Sequence, residues 1–175
     1  MSELTTTDID DVLSNHTDTR TPFIGVFAHD QLPTKLICKK KWVLVCNASP
    51  IESPGTHWFA LFKECDDVME LFDSMGGDPA SYNLVEFMQN QQVEKCIYNS
   101  VRIQSLFSNV CGHYAIYFAI HRCIGMSMEK IAAMFSDINF IENDDYVNSF
   151  YKNLIIDRRD LLLKIFSSLC TPQHL

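Results

Sequence analysis

Four residues of this chain, each where a loop meets an ordered element, could together do covalent chemistry. Cys111 heads the apolar run Cys111-Gly112-His113-Tyr114-Ala115-Ile116-Tyr117-Phe118, and Gln104 stands seven residues before it. His57, in Gly55-Thr56-His57-Trp58, opens one apolar segment; Asp73, in Leu71-Phe72-Asp73-Ser74, closes the next. A thiol can attack a carbonyl, an imidazole can move its proton, a carboxylate can orient the imidazole, and an amide can hold the oxyanion. Each residue alone has a plainer reading. A cysteine heading an apolar helix is usually a small buried hydrophobe, a histidine before a tryptophan an ordinary strand-end residue, and an aspartate after a strand a turn residue. The weight lies in the set, in the order His, Asp, Gln, Cys.

Local geometry supports the set. The first-turn amides of a helix beginning at Cys111 would point at its sulfur, where the positive end of the helix dipole stabilises a thiolate. Gly112 leaves out a side chain beside the nucleophile, giving a substrate carbonyl room to approach. The Gln104 amide and the Cys111 N–H could form an oxyanion hole, in which losing one donor costs about 10²–10³ in rate. If Trp58–Lys63 and Val68–Phe72 form a hairpin about a Glu64–Asp67 turn, Lys63 faces Val68. His57 and Asp73 are then within one position of being opposite, with Cβ atoms about 5 Å apart. The carboxylate would accept a hydrogen bond from the Nδ1–H of the ring, fix its tautomer and leave Nε2 free to take a proton.

The elements that must hold these residues read as follows. Thr5 to Leu13 is a helix, with Thr7 as its cap. Phe23 to Phe27 is a short apolar segment. Trp42–Cys46, Trp58–Lys63, Val68–Phe72 and Tyr98–Ile103 are strands. Tyr82–Gln91 is a helix. Cys111–Cys123 is a buried helix stopped by Gly125, and Met128–Phe135 is a helix capped by Ser127. Two further helices cover 144–154 and 157–170. Strands in the middle with helices at both ends indicate an α+β fold, with residues 1–175 as one domain.

Composition narrows the function classes. The chain has 175 residues, 47% of them apolar, enough for a sizeable core. The net charge of −8 argues against a general nucleic-acid binder. The dense basic run Lys39-Lys40-Lys41 reads as a solvated loop or strand entry, or failing that a local phosphate or partner contact. No stretch approaches the ~20 apolar residues of a membrane span, and Met1 to Asp11 is polar, with no signal-peptide core. Seven irregularly spaced cysteines suit free thiols in a reducing, intracellular or virion-associated setting. Zinc is not expected: Cys111/His113 and His121/Cys123 are two apart on a helix and point to different sides.

At these motifs the chain resembles the adenovirus-type cysteine endopeptidases (adenain-like) and their relatives in Polinton/Maverick elements and virophages, distant kin of the ubiquitin-like-protein proteases. The resemblance runs from about Phe23 to Phe135. It includes Phe23-Ile24-Gly25-Val26-Phe27 with Leu32-Pro33, the histidine and acidic motifs, and the stretch Gln104 to Gly112. The spacing of seven from Gln104 to Cys111 is similar to the adenovirus form. The resemblance implies a mixed sheet with the nucleophile on a central helix, and a thiol protease whose substrates are viral or mobile-element precursor (capsid) proteins cut after small residues such as glycine. It implies Cys111 as nucleophile, His57 as base and acid, Asp73 as orienter and Gln104 as oxyanion donor, with Trp58 lining the cleft. It also implies an activating peptide, bound by a disulfide for which Cys96 is the loosely matching thiol, otherwise an ordinary strand-edge cysteine. The relatives' DNA cofactor fits poorly with an acidic chain, and the residues themselves call for no cofactor. Two rival readings share the parts: an isopeptidase for ubiquitin-like modifiers, and an inactive binding module of the same fold.

Overall fold

The computed structural model describes residues 3–36, 41–64 and 67–169. Lys39 and Lys40, Cys65 and Asp66 of the expected Glu64–Asp67 turn, and Cys170 of the helix expected over 157–170 lie outside the described residues.

A mixed five-stranded sheet, in the order β1-β2-β3-β4-β5, forms the centre. Its strands are β1 (Phe23–Ala28), β2 (Lys41–Asn47), β3 (Trp58–Glu64), β4 (Val68–Phe72) and β5 (Lys95–Tyr98). The outer pairs β1–β2 and β4–β5 are parallel, whereas β2–β3 and β3–β4 are antiparallel. The middle of β2 and the first five residues of β3 (Trp42–Cys46 and Trp58–Phe62) are wholly apolar because both faces are covered. On one face Val43, Val45, Ala60, Phe62 and Phe72 join a core built with the helices. On the other, Trp42, Leu44, Cys46, Phe59, Leu61 and Leu71 join a second core with Leu84 and Phe87. Alternate residues of one strand thus feed opposite cores, as the period of two requires.

The helices are α1 (Thr6–Asn15), α2 (Val85–Asn90), α3 (Cys111–Cys123), α4 (Met128–Ala132) and α5 (Phe140–Leu169). α3 is buried from Cys111 to Ile120 and packs across the sheet, with Phe118 stacked on Phe72 of β4 at 4.6 Å. Gly125, at φ +97°, stops it: the Gly125 and Met126 amides close back on the Arg122 and His121 carbonyls.

Several expectations need correction. The cap of α1 is Thr5, not Thr7: Thr5 and Asp8 form a reciprocal capping box, which Thr7, already inside the helix, could not make. The helix expected over 82–91 is a 3-10 turn, Pro79–Tyr82, and the short α2, separated where Asn83 turns left-handed at φ 52°. The strand expected at 98–103 lies earlier, at Lys95–Tyr98. It stops where the Asn99 side chain, instead of a ladder, bonds the Asp73 backbone. The last two helices are one, α5, because no breaker separates Leu154 from Asp157. The hairpin is displaced by one residue: Lys63 pairs with Met69, not Val68. A one-residue slip reverses which side chains share a face. It leaves His57 and Asp73 diagonal on one face rather than nearly opposite.

Candidate active site

Each end of the β3–β4 hairpin is fixed before its side chain is used. Just before β3, the His57 carbonyl accepts from the Ala48 amide at 2.8 Å, extending the β2–β3 ladder. The loop behind it is held by Asn47, whose Oδ1 accepts from the Ser49 amide (2.9 Å) and the Thr56 amide (3.3 Å). Just after β4, Asn99 brackets Asp73: its Oδ1 accepts from the Asp73 amide (2.8 Å) and its Nδ2 donates to the Asp73 carbonyl (2.6 Å).

The Asp73 carboxylate is completely buried and fully used. Oδ1 accepts from His57 Nε2 at 2.5 Å and the Met75 amide at 2.8 Å. Oδ2 accepts from the Gly77 amide at 2.7 Å and the Tyr82 hydroxyl at 2.6 Å. This wrapping requires glycine at 77, since a Cβ there would lie 2.5 Å from Asp73 Oδ2 and 2.6 Å from the Tyr82 oxygen. Tyr82 in turn stacks on Phe59 of the second core, centroids 4.2 Å apart. Burial works to raise the Asp73 pKa, yet the hydrogen bonds and charge of His57, with those of Tyr82 and Met75, hold it below the usual carboxylate range. Asp73 is therefore ionised, and Nε2 of the ring carries the proton it donates.

That settles the ring orientation differently from the sequence expectation. Nε2, not Nδ1, faces the carboxylate, because His57 reaches Asp73 diagonally from beyond the strand end. Nδ1 is the nitrogen left for Cys111, whose side chain lies near enough to raise the pKa of the ring. Burial pulls the His57 pKa down. The Asp73 hydrogen bond and the influence of Cys111, with the charges of both partners, outweigh it and push the value up to about 9.

Cys111 is 6% exposed, at the head of α3. The helix cap before it is Val110, an apolar residue with no side-chain acceptor. Forgoing a polar cap costs about 1 kcal/mol and leaves the first-turn amides of Cys111 and Gly112 without an intrahelical acceptor. Gly112 has a different use from the one expected. A Cβ there would meet Leu4 at 3.2 Å and Ile9 and Trp58 at 3.3 Å, so the protein's own packing takes that space, not a substrate carbonyl. Trp58 is 6% exposed, its indole N–H bonded to the Leu4 carbonyl at 3.1 Å. A groove of about 420 Å³ lies beside it, lined by Gly55 and Trp58 on either side of His57 in sequence, with Asn47, Val26 and Thr5.

Gln104, 3% exposed, is anchored at both ends of its amide. Oε1 accepts from the Ser74 hydroxyl at 2.6 Å, next to Asp73, and Nε2 donates to the Ser108 carbonyl (3.0 Å) and hydroxyl (3.2 Å). The amide thus joins the acid loop to the nucleophile loop. The latter is also tied to α5 by Asp144, 1% exposed, which accepts from the Ser105 amide (3.4 Å) and, on α3, the Tyr114 hydroxyl (2.9 Å). Burial raises the Asp144 carboxyl despite these donors.

The structure thus brings His57 together with Asp73 and Cys111 and connects Gln104 to their loops. Cys96 stands apart on the edge strand β5, a half-buried free thiol pushed up to about 11 by burial, then by the charge of Glu70. Tyr82, Asn99 and Asp144 were missed. The pair Gly76-Gly77 signalled only a close approach of backbone to Asp73, not these partners.

No protein-family model matches the chain, and no curated protein matches it in sequence. Solved structures do. The ASFV pS273R protease superposes with a TM-score of 0.53 at 18% identity, over 77% of this chain and 63% of that one. A de-sumoylating protease gives 0.53 at 18%, over 95% and 84% of the two chains. The central domain of the Lpg1148 protein from Legionella pneumophila gives 0.53 at 11%, over 89% and 99%. This chain therefore spans less than two thirds of the viral protease chain. What it shares with all three is the fold: a mixed sheet with flanking helices, common to a viral protease and a de-sumoylating protease.

Proposed function

We propose that the chain is a cysteine peptidase. The observation that carries this reading is the His57 ring, held on one nitrogen by a buried carboxylate at 2.5 Å and raised in pKa by that carboxylate and by the neighbouring Cys111. Cys111 attacks the substrate carbonyl as thiolate, paired with the His57 imidazolium. The C–N bond breaks as His57 Nδ1 gives its proton to the departing amine. Water, deprotonated by the same nitrogen, then opens the thioester and releases the acid. Asp73 keeps its charge throughout and holds the ring on its Nε2 side. The Cys111 amide and Gln104 Nε2 receive the oxyanion. For Gln104, the oxyanion replaces the Ser108 hydroxyl at 3.2 Å, the longer of its two acceptor contacts. Substrate lies in the groove beside Trp58, and precursor proteins cut after small residues such as glycine are its expected class.

A second reading, removal of ubiquitin-like modifiers, is favoured by the de-sumoylating protease, which covers 95% of this chain. A short glycine-containing peptide and a modifier–fluorophore conjugate, assayed side by side, separate the two. The test of the peptidase reading itself is Cys111→Ala. Fast labelling by a thiol reagent and cleavage of a mixed peptide library should vanish together. Cleavage that persists removes Cys111 from the role.

A further inference from the structure

Between Tyr98 and Cys111 the chain forms neither strand nor helix. An oxyanion donor has to stand within about 2.7–3.1 Å of the developing charge, so a stretch without a ladder needs other anchors for Gln104. On one side the Ser74 carbonyl accepts from the Ile103 amide (2.9 Å) and the Gln104 amide (3.1 Å). On the other side the anchors come from the start of α5. Asn143 Nδ2 donates to the Ile103 carbonyl at 2.8 Å, and Asp144 Oδ2 accepts from the Ser105 amide at 3.4 Å. The residue before Gln104 and the residue after it are thus held by two neighbours on one helix. Arg102 stacks on Phe140, the first residue of α5, at 4.1 Å, and its guanidinium donates to the Gln104 carbonyl at 3.4 Å.

The holders are themselves fixed. Asn143 is 5% exposed, and its amide is used at both ends: Nδ2 also donates to the Ser136 carbonyl (2.6 Å), and Oδ1 accepts from the Ser136 amide (2.9 Å). Asp144 Oδ1 accepts from the Tyr114 hydroxyl, which also lies 3.0 Å from the Ile103 carbonyl oxygen. Tyr114 follows Cys111 by one turn of α3, so the same carboxylate touches the oxyanion loop and the nucleophile's helix. The inward face of α5 is apolar one turn later, at the fully buried Val147. Burying two polar side chains ahead of it is costly unless they are paired, and their partners are the loop.

We propose that the start of α5, through Phe140, Asn143 and Asp144, is a positioning element for the oxyanion hole: by holding the backbone on both sides of Gln104 it fixes where Nε2 meets the developing charge. The proposal rests on the peptidase reading above.

The test is a double-mutant cycle on peptide cleavage by the full chain, with Asn143→Ala and Asp144→Ala each made alone and together with Gln104→Ala. Each single variant should lower kcat roughly 10–100-fold, as displacing a catalytic group by about 1 Å implies, with KM held. Iodoacetamide alkylation of Cys111, which develops no oxyanion, should keep its wild-type rate. With Gln104 already gone, the same substitutions should cost less than about threefold more, since nothing is left to misplace. Asp144→Asn should recover most of kcat: its amide oxygen can accept from Ser105, and its NH₂ can donate to Tyr114, whose own proton then turns to the Ile103 carbonyl. Where an alanine at 143 or 144 does not fold, Phe140→Ala, which removes only a half-buried ring, should lower kcat roughly threefold to tenfold at constant KM. Wild-type kcat in the folded variants, or the same loss with and without Gln104, overturns this proposal alone. A Gln104→Ala variant as fast as wild type overturns it as well. A wild-type chain that cuts nothing overturns the peptidase reading and this proposal with it.

Discussion

Replacing Asp73 by asparagine tests whether a buried charge, rather than a well-shaped hydrogen bond, keeps His57 protonated. The ring sits at about 9 against an ordinary 6.5, a net rise of 2.5 pH units achieved against burial. The gross rise from Asp73 and Cys111 together is therefore more than 2.5. Of the two partners that raise the ring, Asp73 has the larger influence both by contact and by charge, so Asp73 supplies more than half. Losing its charge and much of its bond should lower the His57 pKa by about one pH unit or more, roughly 1.4 kcal/mol at 1.36 kcal/mol per unit. Asparagine also turns an amide toward donors the carboxylate now satisfies, leaving at least one buried N–H or O–H unpaired at a cost of about 1–3 kcal/mol. The assay is an NMR titration of His57 with ring-labelled histidine, alongside the alkaline limb of kcat/KM. In the wild type both should fall near pH 9. In Asp73→Asn both should move down together by about one unit or more, with a lowered melting temperature. A His57 titration that stays within half a unit, in a folded variant, refutes the electrostatic reasoning.

Gly77→Ala would drive a methyl into Asp73 Oδ2 and the Tyr82 hydroxyl. A stability loss of about 2–3 kcal/mol in urea unfolding and a fall in kcat should appear together. Asp144→Ala strips the acceptor from the Ser105 amide and the Tyr114 hydroxyl. It should cost about 1–3 kcal/mol of stability and lower kcat about tenfold more than KM changes; an unchanged kcat in the folded variant would confine Asp144 to a structural part. His113 is buried with Nδ1 unpartnered, and burial, then the charge of Lys152, holds its pKa down to about 4. Being neutral in the fold and protonated in the unfolded chain below about 6.5, it contributes stability that is present above 6.5 and lost as pH falls toward 4. Unfolding free energy should drop by up to about 3 kcal/mol over that window, and His113→Leu should abolish most of the dependence.

The apolar runs of β2, β3 and β4 and the buried run of α3 were legible because burial on both faces leaves few polar residues to confuse the pattern. Ser127 and Gly125 marked helix ends for reasons confined to one turn of chain. The positions of His57, Asp73, Gln104 and Cys111 at element boundaries were legible for the same reason. What sequence could not supply was set by distant partners. The hairpin register depends on turn geometry rather than on the strands, which is why it was one residue off. The choice of ring nitrogen follows from that register. Tyr82, Asn99 and Asp144 act through side-chain contacts 9, 26 and 30 or more residues long in sequence, with no local pattern to announce them. β5 is short and partly exposed, so it lacked the apolar signature of its neighbours.

The stack of Phe59 on Tyr82 gives the face of the sheet remote from Cys111 a mechanical line to the chemistry. Most replacements among Trp42, Leu44, Leu61 and Leu71 should thin the population of folded molecules while leaving each survivor as fast as before. Phe59 should be the exception: losing its ring unseats the tyrosine that steadies the acid, so survivors should also turn over more slowly. Among drifting relatives of this chain, position 59 should therefore tolerate other aromatic rings far better than aliphatic residues of equal bulk.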